Sequence, residues 1–397
     1  MKNRTTQVSV PFSLPQYRIG DQSLDALDLK VSILSQGIYV HDNVFERFEK
    51  TSRLSRFPRS CNTMFLADRL PIYIARTSPN SPFHLVVREG EPAVFHSGEF
   101  VTEVEFAPKP SFYAKKTSGG HLYGEMAILQ GWDMLSFPYL WQCDLAISGT
   151  PCRFCHCGNA TRQAVKAKQW VDFKYTPEDI AEIVRYAVET GPNVKILQLT
   201  AGSSLDADTE INRYVKILKA IDKSVGIDKI PPIIFLTPPA DVRLLDRLFD
   251  AGVGKIACDL DVWNEMLFNE YCPGKTKYTS RKRHLDALLY IAEKYGQNRA
   301  CSVFVAGLEP VESLLEGSTY LAERGIVPLP SPWMPYGVER ENLPTPPSLD
   351  YYRTLRYETA KLYIKHGLVV PGTFGSSVCI SRDIWLRKEA LTARNTF

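Results

Sequence analysis

From about residue 133 onward, short apolar stretches alternate with longer amphipathic ones, a pattern that leaves few folds open. The stretches that read as strands are 135–140, 195–199, 233–236, 255–259, 302–306 and 326–329. Between them the apolar residues shift to helical spacing. Thr176-Pro177-Glu178-Asp179 supplies an N-cap, a first-turn proline and two acids ahead of Ile180, Ile183, Val184, Ala187 and Val188. A second helix carries Ile211, Tyr214, Val215 and Leu218 on one face, and further helices are predicted over 241–250, 280–295 and 311–324. Gly252, Gly296 and Gly325 stand just past their ends, where a left-handed residue commonly stops a helix. A strand that must cross over through a helix rejoins its sheet in parallel. Six such units therefore predict a parallel α/β sheet, either open and doubly wound or curled into a barrel of fewer than eight strands. Both place ligands at the carboxyl ends of the strands, so the chemistry is sought in the post-strand loops.

The flanks read differently. Residues 1–125 have mixed α and β character: a helix is predicted over 23–36 with Leu27, Val31 and Leu34 on one face and Gly37 ending it. Phe100, Thr102, Val104 and Phe106 alternate with Val101, Glu103 and Glu105 as in a half-buried strand, after a turn at Arg88-Glu89-Gly90-Glu91-Pro92. Its histidines His41, His84 and His96 are widely spaced, and the region reads as a structural or substrate-covering accessory domain. In the tail, 341–397, a helix is predicted over 349–365, followed by an apolar stretch near 368–374 suited to capping a barrel.

The 47 basic and 44 acidic residues leave a net charge of +3, too small over 397 residues for the field of a dedicated nucleic-acid binder, so small or neutral partners are expected. Arg281-Lys282-Arg283 and Lys115-Lys116 are only local basic spots. No apolar run reaches the roughly 18 residues of a membrane span, and Met1-Lys2-Asn3-Arg4-Thr5-Thr6 lacks a signal-peptide core, so a cytoplasmic location and no membrane partner are expected. Four of the nine cysteines crowd between Cys143 and Cys157, whereas a disulfide framework would spread them.

That crowding follows the first strand: Cys143, then Cys152-Arg153-Phe154-Cys155-His156-Cys157-Gly158. Soft thiolates select zinc or iron–sulfur iron over calcium or magnesium. A structural zinc ribbon would need a second Cys-x-x-Cys knuckle, and Cys258, Cys272, Cys301 and Cys379 lie scattered on separate elements.

In this loop the sequence resembles the radical S-adenosylmethionine (SAM) superfamily, in its biotin synthase-like branch. Its members carry three cysteines after the first strand of a partial barrel, with an aromatic residue just before the third. Cys152-Arg153-Phe154-Cys155 matches the second half, and Cys143 stands in for the first cysteine across eight intervening residues, where most members have three. Cys157 is the alternative to Cys143. The resemblance implies a partial (β/α)6 TIM-like barrel over 126–340, between the N-terminal α+β accessory region and the C-terminal helical extension. It implies that Cys143, Cys152 and Cys155 hold a 4Fe-4S cluster with one iron open to the amino and carboxylate groups of SAM, whose reductive cleavage gives a 5'-deoxyadenosyl radical.

Other loops acquire roles by the same resemblance. Ala201, Gly202 and Ser203, after the second strand, stand where members receive the methionine amino group, here without the acidic member. Asp259 and Asp261 point the same way by alternation and can reach ribose hydroxyls; the competing reading makes them the cap of a helix from Trp263 to Tyr271. Gly307 is the glycine that lines adenine, Glu309 and Glu312 read either as part of that motif or as first-turn helix charges, and Trp333 is presented by a stiff proline-rich exit. Lys275 reads as a solvated loop lysine or a binder of substrate carboxylate or phosphate, Cys272 as a buried bystander or auxiliary thiol, and His156 as a shield or hydrogen-bond donor beside the cluster.

The expected function is hydrogen abstraction from a small-molecule biosynthetic substrate, with electrons from a flavodoxin- or ferredoxin-like reductant. Three rivals stand beside it: a radical SAM enzyme modifying RNA, a non-enzymatic zinc-binding scaffold, and an ordinary barrel enzyme using acid–base residues.

Overall fold

The computed structural model describes residues 14–55, 62–66, 69–131, 133–140, 143–158, 175–190, 194–335, 344–370, 377–381 and 383. All six expected strands are present: β1 (Met134–Leu140), β2 (Ile196–Ala201), β3 (Pro232–Phe235), β4 (Lys255–Ala257), β5 (Ala300–Ala306) and β6 (Val327–Pro332). Each pairs in parallel with the next, and a short strand, Ile128–Gln130, adds antiparallel to the outer edge of β1. This order decides between the two predicted architectures. A doubly wound sheet reverses its strand order to place helices on both faces. An unreversed order with crossovers of one hand puts every helix on one face and leaves the other to curl inward as a partial barrel.

Side-chain alternation divides the sheet accordingly. Leu135, Phe137, Leu197, Leu199, Ile234, Ile256 and Phe304 pack outward in one cluster with the helices, while Met134, Ile196, Ile233, Ala257, Cys301, Val327 and Leu329 pack inward in another. The helices are α1 (Pro177–Thr190), α2 (Ala207–Val225), α3 (Asp246–Asp250), α4 (Glu265–Tyr271), α5 (Pro273–Tyr278), α6 (Arg281–Tyr295), α7 (Val311–Ala322) and α8 (Leu349–His366). At α1 the Thr176 hydroxyl accepts from the Asp179 N–H and the Asp179 carboxylate accepts from the Thr176 N–H, a reciprocal cap. Gly252, Gly296 and Gly325 have φ of 92°, 89° and 72° past their helices.

β6 carries Pro328, Pro330 and Pro332, which would break a central strand. Strand N–H groups point alternately to either side, so prolines at every second position remove donors from one side only, the side with no neighbouring strand. The tail covers that edge: the Tyr363 hydroxyl donates to the Pro328 carbonyl, and the Ser381 hydroxyl donates to Pro330 O at 3.4 Å. Tyr363, Leu368 and Val370 also join the inward cluster at the amino ends of the strands, so this end of the barrel is plugged. The capping role expected of 368–374 is met by its described part, residues 368–370. The open end is the carboxyl one.

The N-terminal region packs its own core around helix Ala26–Gln36, a sheet of Tyr39–Val40, Phe83–Arg88, Glu91–His96 and Glu99–Glu103, and a smaller sheet built on Thr63–Phe65. Its helix starts at Ala26 rather than 23, because Gln22–Asp25 pairs with Gln16–Ile19 as a hairpin and Asp25 caps the helix. The expected turn is a hairpin with Glu89 and Gly90 at φ 52° and 94°. The strand after it is split at Val104, and Phe100 is 43% exposed, its ring under the Arg88 guanidinium rather than in the core. Asp28 of the N-terminal helix is buried against Arg353 and Arg356 of α8, tying this region to the tail. Among the described residues no helix is long and apolar enough to cross a membrane.

Candidate active site

The open end of the barrel is framed by the loops after β1, β2, β4, β5 and β6. Cys143 is buried and begins a single helical turn, Asp144–Ile147. The Asp144 N–H donates to Ser203 O at 2.8 Å, and the Asp144 carboxylate accepts from the Leu205 N–H at 2.8 Å. The cysteine loop is thus pinned to the loop after β2. The Ser203 carbonyl is committed there, and Ala201 ends β2 opposite Leu140.

On its other side the cysteine loop rests on α4 and α5. The Arg153 N–H donates to Tyr271 O at 2.9 Å, and Gly274 packs on Thr150 and Leu145, with no room for a side chain. This docking sets the thiols together. Cys152 Sγ, Cys272 Sγ and a carboxylate oxygen of Asp261 lie within 4.8 Å of one another. A hydrogen bond with Cys272, then burial, holds the Cys152 thiol well above its ordinary range. Cys155 and Cys157 form a second pair: their hydrogen bond lowers Cys155 to about 7 and raises Cys157. Burial, then the nearby Cys155, raises Cys143. His156 is held below its usual range by burial. Thiols from two ends of the loop, Cys143 and Cys152 to Cys157, therefore share one electrostatic neighbourhood.

β4 ends at Ala257, two residues short of expectation, because the chain beyond it bonds to β5 in another way. Asp259 Oδ1 accepts from the Val303 N–H at 2.9 Å; the Asp261 N–H donates to Val303 O at 3.0 Å, and Val305 N–H returns to Asp261 O at 2.8 Å. Asp261 adopts φ 63°, a left-handed conformation uncommon outside glycine. Burial first, and Asp261 second, push Asp259 up to about 7. The competing capping role falls to Asn264, whose side chain accepts from the Leu267 N–H at 3.1 Å at the start of α4.

Lys275 is buried, not a solvated loop residue. Its ammonium donates to Asp259 O at 2.6 Å and to the Asp261 carboxylate. Burial, the largest influence, depresses it, but Asp261 together with Cys152, Cys272 and Asp259 outweighs that and raises it. Glu309 is likewise no exposed helix charge: it is buried, and its carboxylate accepts from Trp263 N at 2.8 Å and Asn264 N at 2.9 Å, stapling the loop after β4 to that after β5.

Gly307 has φ 110°, and its N–H donates to the Tyr351 hydroxyl at 3.1 Å. Trp333 donates its backbone N–H to Ala306 O at 2.9 Å, and its ring is 3% exposed in an apolar cluster with Val262, Val305 and Leu308, flanked by Phe154 and Cys152. Its indole N–H is buried with no acceptor among the described residues, although buried indoles usually find one.

Residues 143–313 match the sequence model of the radical SAM superfamily. The chain carries a radical SAM superfamily domain over these residues. It is an enzyme of the radical SAM type, and membership implies a 4Fe-4S cluster and SAM. Over 305 residues, 74% of this chain and 75% of the relative, it is 22% identical to bacteriochlorophyllide c C-7(1)-hydroxylase of Chlorobaculum limnaeum. Among solved structures, methylornithine synthase aligns with 65% of this chain and 69% of its own at 15% identity and a TM-score of 0.47. A maturase of the FeFe-hydrogenase aligns with 62% of this chain and 52% of its own at 16% identity and a TM-score of 0.46.

The thiols, Asp259, Asp261, Phe154 and Trp333 come together at the open end through loops distant in sequence. Sequence reasoning undervalued Cys272 and Lys275. The usable signal was Gly274 between them, in the first turn of α5, where the missing side chain lets another backbone approach closely.

Proposed function

We propose that this radical SAM enzyme abstracts a hydrogen atom from a small organic molecule in the cytoplasm, with Cys143, Cys152 and Cys155 holding a 4Fe-4S cluster and the barrel mouth holding SAM. The observation that carries this reading is the gathering of the thiols at the carboxyl end of the sheet beside Asp261 and Trp333. The donor set fits the group: soft sulfur ligands suit iron–sulfur iron, and three of them leave one coordination position open. When bound, the cluster and SAM supply one-electron reduction of a sulfonium and a carbon radical.

The chain's own residues would do the rest. Ala201 and Gly202 offer backbone to the methionine part, Asp261 an oxygen to ribose hydroxyls, and Gly307 backbone to adenine, the side on which a Cβ would stand being taken by Pro347. The Trp333 indole N–H is a donor awaiting an acceptor such as a ring nitrogen. Phe154, Val305 and Leu308 exclude water from the same space. The relative at 22% identity is named for a bacteriochlorophyllide, which supports a small-molecule substrate over RNA, as does the net charge of +3. A flavodoxin- or ferredoxin-like protein is the proposed electron source.

The test is anaerobic reconstitution with iron and sulfide, reduction, incubation with SAM, and chromatography for 5'-deoxyadenosine. The reading requires its formation, and its loss in Cys152→Ala and Cys155→Ala. A chain that instead retains one zinc, without labile sulfide, and yields no 5'-deoxyadenosine refutes it.

A further inference from the structure

The α5 segment touches three parts of the mouth at once. Gly274 seats the cysteine loop, Cys272 lies against Cys152, and Lys275 reaches across to the loop after β4. The lysine is 8% exposed, and its ammonium lies between the Asp259 carbonyl and the Asp261 carboxylate. A buried ammonium is costly unless paired and hydrogen-bonded, and here two oxygens satisfy it. It engages Asp261 through Oδ2 alone; Oδ1 has no hydrogen-bond donor among the described residues. Asp261 is fixed from the backbone side as well, by its left-handed φ of 63° and by the bonds to Val303 and Val305. Strained residues of this kind persist where their surroundings over-determine them, as at ligand clamps.

We infer that Lys275 is a positioning residue: it anchors one oxygen of Asp261 so that the other is aimed at a vicinal pair of nucleoside hydroxyls. The inference rests on the reading of this mouth as a SAM site and names what sets its ribose contact. Lys275 makes no contact with the nucleoside itself. Without Lys275 no side chain among the described residues donates to the Asp261 carboxylate to fix its rotation. A carboxylate free to rotate no longer presents its second oxygen to the hydroxyls in one geometry, and the charge-assisted bond to the ribose weakens.

The measurement is equilibrium binding of SAM and of its 2'-deoxyribose analogue to the reconstituted, unreduced holoenzyme, with iron content determined on the same samples. For Lys275→Met and Asp261→Asn we expect an affinity for SAM about tenfold weaker, the size of one charge-assisted hydrogen bond. We expect little change for the deoxy analogue, a double variant no weaker than the worse single one, and substantial recovery in Lys275→Arg, which keeps the cation. If wild type binds SAM and Lys275→Met binds it within twofold, or loses both ligands equally, Lys275 does not act through the ribose contact. Lys275→Met losing iron while Asp261→Asn binds SAM normally overturns the inference too. Wild-type holoenzyme that binds no SAM defeats the underlying site reading instead.

Discussion

Gly274 lies so close to Thr150 that a Cβ built on it would overlap the Thr150 carbonyl oxygen and sit 2.9 Å from the Leu145 Cβ. Its φ is not left-handed, so what it provides is room for the cysteine loop. Gly274→Ala must displace that loop, because backbone cannot yield as a flexible side chain does. Overpacking of this kind costs roughly 1–3 kcal/mol. The expected outcome is a folded protein, by far-ultraviolet circular dichroism, that takes up less than half the wild-type iron. Normal iron uptake would mean that α5 does not hold the loop.

The choice between Cys143 and Cys157 follows from where each thiol comes from. Cys155 and Cys157 are separated only by His156 and hydrogen-bonded to each other, a poor arrangement for binding two different irons of one cluster. Cys143 approaches from a separate turn pinned to Ser203. Cys157→Ala should therefore keep most iron and labile sulfide after reconstitution, and Cys143→Ala should lose most of both. The reverse result would move the ligand set to Cys152, Cys155 and Cys157.

The strands were legible because apolar runs between helical stretches are a local signal, and their order followed from connection length. β4 was read two residues too long because Asp259 and Asp261 look like a continued alternation, whereas their bonds to Val303 and Val305 are a tertiary feature. The cysteine loop announced itself by spacing. Cys272 did not, since it lies against a loop more than a hundred residues earlier in the chain, and Lys275 did not, since its bonds to Asp259 and Asp261 depend on how the chain turns after β4. Trp333 could be placed near the mouth from its proline-rich exit, but not the orphaned state of its indole N–H. Nothing in the sequence coupled Asp28 to Arg353 across 325 positions.

Glu210, in the first turn of α2, is 4% exposed, and neither carboxylate oxygen has a well-formed hydrogen bond among the described residues, although the Thr237 N–H lies near enough to favour the charged form. Burial first, then the charge of Asp144, push it up to about 8 from 4.5. A raised carboxyl pKa means that the folded state holds its proton more tightly than the unfolded one. Stability attributable to this group is therefore full below about 4.5 and falls as pH rises toward about 8. Glu210→Gln, uncharged throughout, should flatten that decline and raise the unfolding free energy at pH 7.5 by an amount on the order of 2–4 kcal/mol. Urea titrations of both proteins at pH 5 and 7.5 decide it; equal slopes in the two would show that the carboxyl is not held neutral.

Asp28 is 2% exposed and meets two guanidinium groups of α8: Arg353 at 2.7 Å and the buried Arg356. Lys30, on the same helix and fully buried, pairs with Asp383 of the tail. A buried pair adds little over an apolar replacement, yet removing one partner strands the other at a cost of about 3–5 kcal/mol. Here Arg356 bears that cost, because the exposed half of Arg353 can turn to water or to Asp350 at 3.1 Å. Asp28→Ala is thus expected to destabilise by that amount, while Asp28→Ala combined with Arg356→Met should recover most of it. Because α8 also carries Tyr363 into the closed end of the barrel, the single variant should loosen the tail before the sheet. Hydrogen exchange read by mass spectrometry should show faster exchange in 349–366 with β2 to β5 unchanged. Uniform acceleration across the whole barrel would mean instead that the tail and the sheet unfold as one unit.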